Sequence, residues 1–523
     1  MQRRTILAAL AATPLARPAI LRAASSTTLR FIPQIDLAFL DPHWTTANVT
    51  RNHGHMVFDT LYGCDTAFTP TPQMLEGHTT ENDGKLWRLT LRPGLLWHDD
   101  TPVLARDCVA SIRRWAKRDA FGGTLMAATA ELSAPDDRTI QFRLNKPFPL
   151  LPDALGKASA YMPAMMPERL ALADSATQVT EMIGSGPFRY VAAERLQGAR
   201  NVYAKYEKYR PRDSGPTDWF SGPKIVHYDR VEWTTIPDGA TAAAALQAGE
   251  QDWWEQATPD LLAILGRNPA IKVEVVDASG TIGMMRPNHL QPPFDNPAIR
   301  RAVLHAIDQS SEMQAVVGDD AAMYRVPVGF FMPGSPMASD AGLLALSGNA
   351  EAATREIKAA GYAGEPVALI VPTDYLHMRL MGEVLADTLR RIGMNVDFVA
   401  TDWATMLQRR NNKGPVDKGG WSGFITSWTG SDWLNPATHL SLRGNGEAGY
   451  PGWSTSPRLE TLRAAWFDAP DQPARQAICR QMQESCMQDV PFFPLGQFAV
   501  TTAYRGLQGV LRGFPTFWNV RPA

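Results

Sequence analysis

Cysteine is scarce in this chain: four residues in 523, at Cys64, Cys108, Cys479 and Cys486. No two of them form a C-x-x-C pair, which leaves no zinc knuckle or dithiol redox centre to read, and no metal or cofactor is implied. Cys479 and Cys486 lie seven apart in a helix-like stretch, about 10 Å along its axis, beyond disulfide reach. The four are read as buried thiols. Excess charge is missing too. Lysine and arginine total 51 against 53 acidic residues, a formal net charge of −2, so no basic surface argues for nucleic acid or an anionic membrane. No G-x-S-x-G elbow, H-E-x-x-H or Walker-type loop occurs, which leaves no positive sign of hydrolase, zinc-protease or nucleotide chemistry.

Apolar residues make up 45% and charged residues 20% of the chain, as in soluble globular proteins. Single cores rarely exceed about 250–300 residues, so two or three folding units are expected. Glycine and proline, 40 each, punctuate the chain into many short elements. Arg3 and Arg4 precede an apolar run over residues 6–16, too short to span a bilayer. Residues 1–25 are read as a twin-arginine-like export signal, with processing near 23–26. No later run of about 18 apolar residues suggests a membrane span.

The early part reads as hairpins. Asn82-Asp83-Gly84 is turn chemistry, and Trp87, Leu89 and Leu91 alternate with polar residues; Asp136-Asp137-Arg138 precedes a second alternation through Ile140, Phe142 and Leu144. Between them Cys108, Val109, Ile112, Trp115 and Ala116 recur at helical spacing. Further on, residues 231–236 read as strand, 240–248 as a helix closed by Gly249, and 251–254 as strand. Residues 367–371, a stripe from Leu376 to Ile392 closed by Gly393, and residues 396–399 read as strand, helix, strand. That order predicts a parallel pair with a right-handed crossover. Asn296 is read as a helix cap followed by Pro297.

Residues 421–428 read as another strand, and the segment 429–436 follows its carboxyl end, where ligands bind in open α/β sheets. Asp432 there is either a partner for a cationic ligand or a solvated loop carboxylate or helix cap. Trp428 and Trp433 either wall a pocket or pack in a core. His43, His53 and His55 include an H-x-H pair without metal-ligand neighbours and are read as surface or cleft-edge histidines. Gly444, Gly446 and Gly449 satisfy G-x-G-x-x-G, but Tyr450-Pro451-Gly452 follows instead of a helix, so the segment is a loop.

Several segments together resemble one family, the extracytoplasmic solute-binding proteins of the dipeptide, oligopeptide and nickel transport type (family 5). They are Leu40-Asp41-Pro42; Leu89-Thr90-Leu91-Arg92-Pro93-Gly94 running into Trp97-His98-Asp99-Asp100-Thr101-Pro102; Gly184-Ser185-Gly186-Pro187-Phe188; Ala245-Leu246-Gln247-Ala248-Gly249-Glu250; and Pro293-Phe294-Asp295-Asn296-Pro297. The resemblance implies an α/β, two-lobed periplasmic-binding-protein fold of type II, in the large cluster C form, with an extra subdomain in the first lobe. It places lobe I at 26–284, lobe II at 285–495 and the return segment of lobe I at 496–523, with crossings near 284–288 and 495–500. It implies a non-catalytic periplasmic receptor, a monomer, that delivers a peptide-like solute to an ABC permease. A sugar, an opine, a glutathione-like molecule or a metal chelate is the alternative ligand, and a secreted hydrolase the remote one. In peptide-binding members the loop equivalent to 428–436 supplies an aspartate to the ligand's amino group; here Ser431 holds that place counted from Trp428, and Asp432 is displaced by one.

Overall fold

The computed structural model describes residues 28–523, and three larger sheets organise them. The expected export segment, residues 1–25, lies outside the described residues. The first sheet has seven strands in the order Ile271–Glu274, Thr502–Arg505, Trp253–Trp254, Thr28–Ile32, Arg230–Thr234, Arg200–Lys205 and Phe188–Tyr190. Thr28–Ile32 runs parallel to both Arg230–Thr234 and Trp253–Trp254. Alternation in these strands sends Phe31, Trp233 and Trp253 to one face, where each ring meets Phe517 at 4.9–5.7 Å between centroids. The helix Gly239–Ala248 begins where Asp238 accepts from Thr241 N and ends at Gly249, left-handed at φ 78°.

Inserted in this lobe is a four-stranded antiparallel sheet, ordered Leu75–Glu81, Leu86–Leu91, Thr139–Leu144 and Thr129–Ser133. Trp87, Leu89 and Leu91 are buried on its inner face, as their alternation predicts, and the amphipathic helix Ala105–Ala116 packs with it. The second lobe is a six-stranded sheet ordered Tyr324–Arg325, Phe493–Phe498, Thr281–Pro287, Gly423–Thr429, Pro366–Pro372 and Asn395–Thr401. Pro366–Pro372 and Asn395–Thr401 are parallel and joined by the helix Leu376–Arg391, the unit its periodicity predicts.

The chain leaves the first sheet after Glu274 and enters the second at Thr281, so the first connection is 275–280, ahead of the expected 284–288. Thr281–Pro287 is buried along its whole length and pairs on both sides, with Gly423–Thr429 and with Phe493–Phe498. A boundary at 284 would cut that central strand; the apolar run around Met284 carries no mark of which sheet it joins. The return connection is 499–501, between Phe498 and Thr502.

The histidine reading is overturned. His53 and His55 lie on the helix Asn48–Val57 and, with His43, are fully enclosed in the first lobe. Burial pushes His43 down to about 4 and His53 to about 3, so both rings are neutral. The His55 ring sits between Phe220 and Phe514, at 4.6 and 5.0 Å. All four cysteines are buried and unpaired. The first lobe also encloses ion pairs: Arg114 Nη2 lies 2.7 Å from Asp41 Oδ2, with both side chains almost inaccessible, and Asp41 also accepts from the amides of His43 and Val179. Removing one partner of such a pair strands the other charge. Arg114→Ala is therefore expected to lower unfolding stability by about 3–5 kcal/mol, read from the denaturation midpoint; a shift under about 1 kcal/mol would show that Asp41 is satisfied by its amide donors alone.

Candidate functional site

The strand Gly423–Thr429 ends at the seam between the lobes and delivers the segment 430–436. Gly430 begins it. Its amide donates to Gly280 O at 2.9 Å, and a Cβ there would lie 2.0 Å from Ser279 O, so only glycine lets this segment rest against the connection 275–280. The turn Gly430–Trp433 that follows is buried throughout.

Asp432 is engaged from two directions. Its Oδ2 accepts from Thr429 Oγ1 at 2.6 Å, and its Oδ1 accepts from Ala160 N of the first lobe at 2.7 Å. With its one proton directed at Asp432, the Thr429 hydroxyl accepts from Arg51 Nη1 at 3.3 Å and from Ser431 Oγ at 2.8 Å. Ser431 and Asp432 thus reach the first lobe through Thr429 and Ala160.

Arg51 comes from the helix Asn48–Val57. Its guanidinium donates to Ala158 O at 3.3 Å, lies 4.2 Å from the Phe514 ring centre, and leaves Nε without a partner. Burial lowers its pKa, countered by the charges of Asp432, Asp277 and Glu255. Glu255 accepts from Gln34 N, Gln34 Nε2 and Asn52 Nδ2 at 2.7–3.0 Å, yet burial outweighs these donors and pushes its carboxyl up to about 7. Asp277, held by the amide and hydroxyl of Ser279, is raised as well, first by burial and then by Asp432.

These groups surround a cavity of about 60 Å³ lined by Gln34, Arg51, Glu255, Asp277, His377 and Ser427, drawn from both lobes and the connection. A water needs about 10–15 Å³ of such space, so a few waters or one small polar group fit. A second pocket of about 20 Å³ shares Gln34 and Ser427 and is walled by Tyr375, Trp403 and Trp428. Tyr375 donates across the seam to Gln34 Oε1 at 3.4 Å. Among the described residues the Trp428 indole N–H has no hydrogen-bond partner, and its ring meets Tyr450 edge-on at 5.5 Å. Tyr450 in turn lines a third cavity, of about 650 Å³, between the subdomain and the second lobe, together with Trp44, Arg118, Tyr161 and Arg410.

Trp433 is not a wall of these cavities. Its ring is fully buried, stacked on His439 at 4.8 Å and against Phe492 at 4.6 Å, in the core of the second lobe. Turning the backbone through Gly430–Trp433 carries it inward, an orientation that residue type alone does not reveal. Arg51, Glu255, Asp277 and Arg410 carry no local motif and escape a reading by spacing. Glu255 alone had a usable signal: it follows Trp253–Trp254 at a strand's carboxyl end, the same criterion that drew attention to 429–436. Among the described residues no cluster of three or more His, Cys, Asp or Glu side chains is arranged to hold a metal, and no helix is long and apolar enough to cross a membrane.

Two α/β lobes, joined by two short connections and enclosing polar cavities along their seam, define a solute receptor of the two-lobed binding-protein class. The profile of the bacterial extracellular solute-binding proteins, family 5, matches residues 69–450. The chain belongs to that family; it is a substrate-binding protein and not an enzyme. It is 37% identical over 524 residues to a probable peptide ABC transporter periplasmic-binding protein, y4tO, of Sinorhizobium fredii, covering 98% of this chain and 97% of the relative. Two solved structures share the fold. The binding protein AgaA of A. tumefaciens R10, in complex with agropinic acid, superposes with a TM-score of 0.79 at 19% identity, covering 95% of this chain and 99% of that one. The Helicobacter pylori DppA, in complex with the peptide STSA, gives 0.78 at 20% identity, covering 95% and 98%.

Glu255 generates a pH-dependent prediction. Its folded value of about 7 lies above the ordinary 4.5, so the folded state holds the proton more tightly. The resulting stabilisation is fully present below pH 4.5 and is lost as pH rises through 7. Relative to Glu255→Gln, the wild-type protein is expected to lose on the order of 3 kcal/mol between pH 4.5 and 8. Parallel melting curves for the two proteins across that range would show that Glu255 does not titrate there.

Proposed function

We propose that this protein is the periplasmic component of an ABC importer, holding a peptide-like solute along the seam and presenting the closed form to a membrane permease. The observation that carries the reading is the seam's polarity. At the inner end Glu255 and Asp277, both raised by burial, line the cavity with Arg51, and a ligand ammonium placed there holds them ionised. At the outer end Arg118 and Arg410 line the large cavity, which favours a carboxylate. Trp428, with its free indole N–H, stands between them and is suited to a peptide carbonyl. A zwitterion laid from one end to the other matches both.

In this reading Trp428 touches the solute. Asp432 and Ser431 act one step removed, through Thr429 and Ala160, and hold the lobes together around it. The relatives support the ligand class, since their names and complexes include a peptide ABC transporter protein and a bound tetrapeptide. The same comparison keeps a second class in view, because a similar fold holds agropinic acid. Export to the periplasm through residues 1–25 and action as a monomer complete the proposal.

Contacts made from both lobes exist only when the lobes are together, so ligand binding shifts the population toward closure. A thermal-shift screen of dipeptides, oligopeptides and amino-acid conjugates is expected to give hits stabilised by about 2.7 kcal/mol at 100 times the dissociation constant. With a hit, small-angle scattering should show a smaller radius of gyration, and the solute should be recovered intact. An unchanged radius at saturation, or turnover of the solute, would overturn the reading.

A further inference from the structure

The outer cavity has an imbalance of charge that a simple zwitterion does not use up. Its wall carries Lys117 and Arg118 from the first lobe and Arg410 from the second. Among the described residues none of the three is in an ion pair. Arg118 Nη2 donates to Trp44 O at 3.1 Å, and Arg410 Nη1 donates to the Tyr450 hydroxyl at 2.7 Å, both neutral acceptors. Arg443 and Asp119 also line the cavity but are matched elsewhere, with Glu460 at 3.0 Å and with Lys157.

Arg410 decides the matter. It is only 7% exposed, its guanidinium lies 5.1 Å from the Tyr450 ring centre, and its Nε has no hydrogen-bond partner among the described residues. The Arg118 Nε is an orphan in the same wall; the one orphaned acceptor there is Asn445 Oδ1. A guanidinium buried without a counter-charge is costly, and an arginine fork matches a carboxylate in two parallel bonds. At about 650 Å³ the cavity is also large enough for more than one carboxylate-bearing group.

We infer that the outer cavity is an anion subsite that selects peptide-like solutes bearing at least two carboxylates, with Arg410 and Arg118 gripping the acidic end from opposite lobes and Lys117 adding charge at the rim. The inference rests on the seam being the solute site, but it adds a charge class that the receptor reading alone does not fix.

The test uses the full mature protein and pooled di- to tetrapeptides synthesised in matched Glu/Gln pairs, together with glutarate and its monoamide as a non-peptide pair. Binding is measured by calorimetry at low salt. The acidic member of a pair is expected to bind about tenfold or more tightly than its amide. Arg410→Gln and Arg118→Gln should bring the two members to within about twofold, the acid losing more affinity than the amide, whose single carboxylate also draws on this wall. Arg118 is only partly buried, so its variant keeps the test valid should Arg410→Gln fail to fold. Amide members binding as tightly as the acids would overturn the anion subsite and leave the receptor reading intact. Selective binding of glutarate with no peptide bound would keep the subsite and overturn the peptide reading. No binding by any probe would overturn both.

Discussion

A guanidinium shut inside a protein must find negative charge, and Arg51 finds it from three separate parts of the chain. Glu255 follows a strand of the first sheet, Asp277 sits on the first connection, and Asp432 lies at the end of a strand of the second sheet. Their convergence ties together the elements whose relative motion defines a two-lobed receptor. A buried ion cluster of this kind contributes little net stability against an apolar equivalent. What it does contribute is geometric specificity, because the compensating charges are assembled only when lobes and connection meet.

The polar relay built on that cluster couples local conformation to the closed arrangement. Thr429 has one proton and directs it at Asp432, which obliges it to accept from Arg51 across the seam. Asp432 uses its other oxygen on the backbone of Ala160. Opening the lobes breaks the Arg51–Thr429 and Ala160–Asp432 bonds together, and it exposes the groups to water, which replaces them at small net cost. That balance is what a receptor needs, since an arrangement closed too firmly would not admit its solute and one closed too weakly would not retain it.

Charge varies along the seam in a way that neither lobe shows by itself. Acidic groups gather beside the connections and basic groups at the rim of the subsidiary sheet, while the net charge of the chain is only −2. A near-neutral protein therefore keeps acidic and basic side chains at opposite ends of its seam, and within low-dielectric walls such a separation orients a charged guest more than the same charges would at the surface. Specificity then depends on which buried charges are left without partners, not on the number of contacts.

The sequence by itself determined the elements and the class. The alternation through Trp87, Leu89 and Leu91, the cap at Asn296, the closing glycines at 249 and 393, and the helix Leu376–Arg391 are local consequences of period and backbone preference. The segment 429–436 was legible as a place, because a strand's carboxyl end is a place that periodicity can locate. Roles within it were not. Whether Asp432 meets a ligand or the Ala160 amide, and whether Thr281–Pro287 belongs to one sheet or the other, depend on partners more than a hundred residues away, and whether Trp433 faces solute or core depends on how the turn folds it against His439 and Phe492. Tertiary structure alone decided that Arg51, Glu255 and Asp277 share one cavity and that Arg410 lacks a counter-charge among the described residues, because electrostatic pairing acts through space and leaves no spacing in the chain to read.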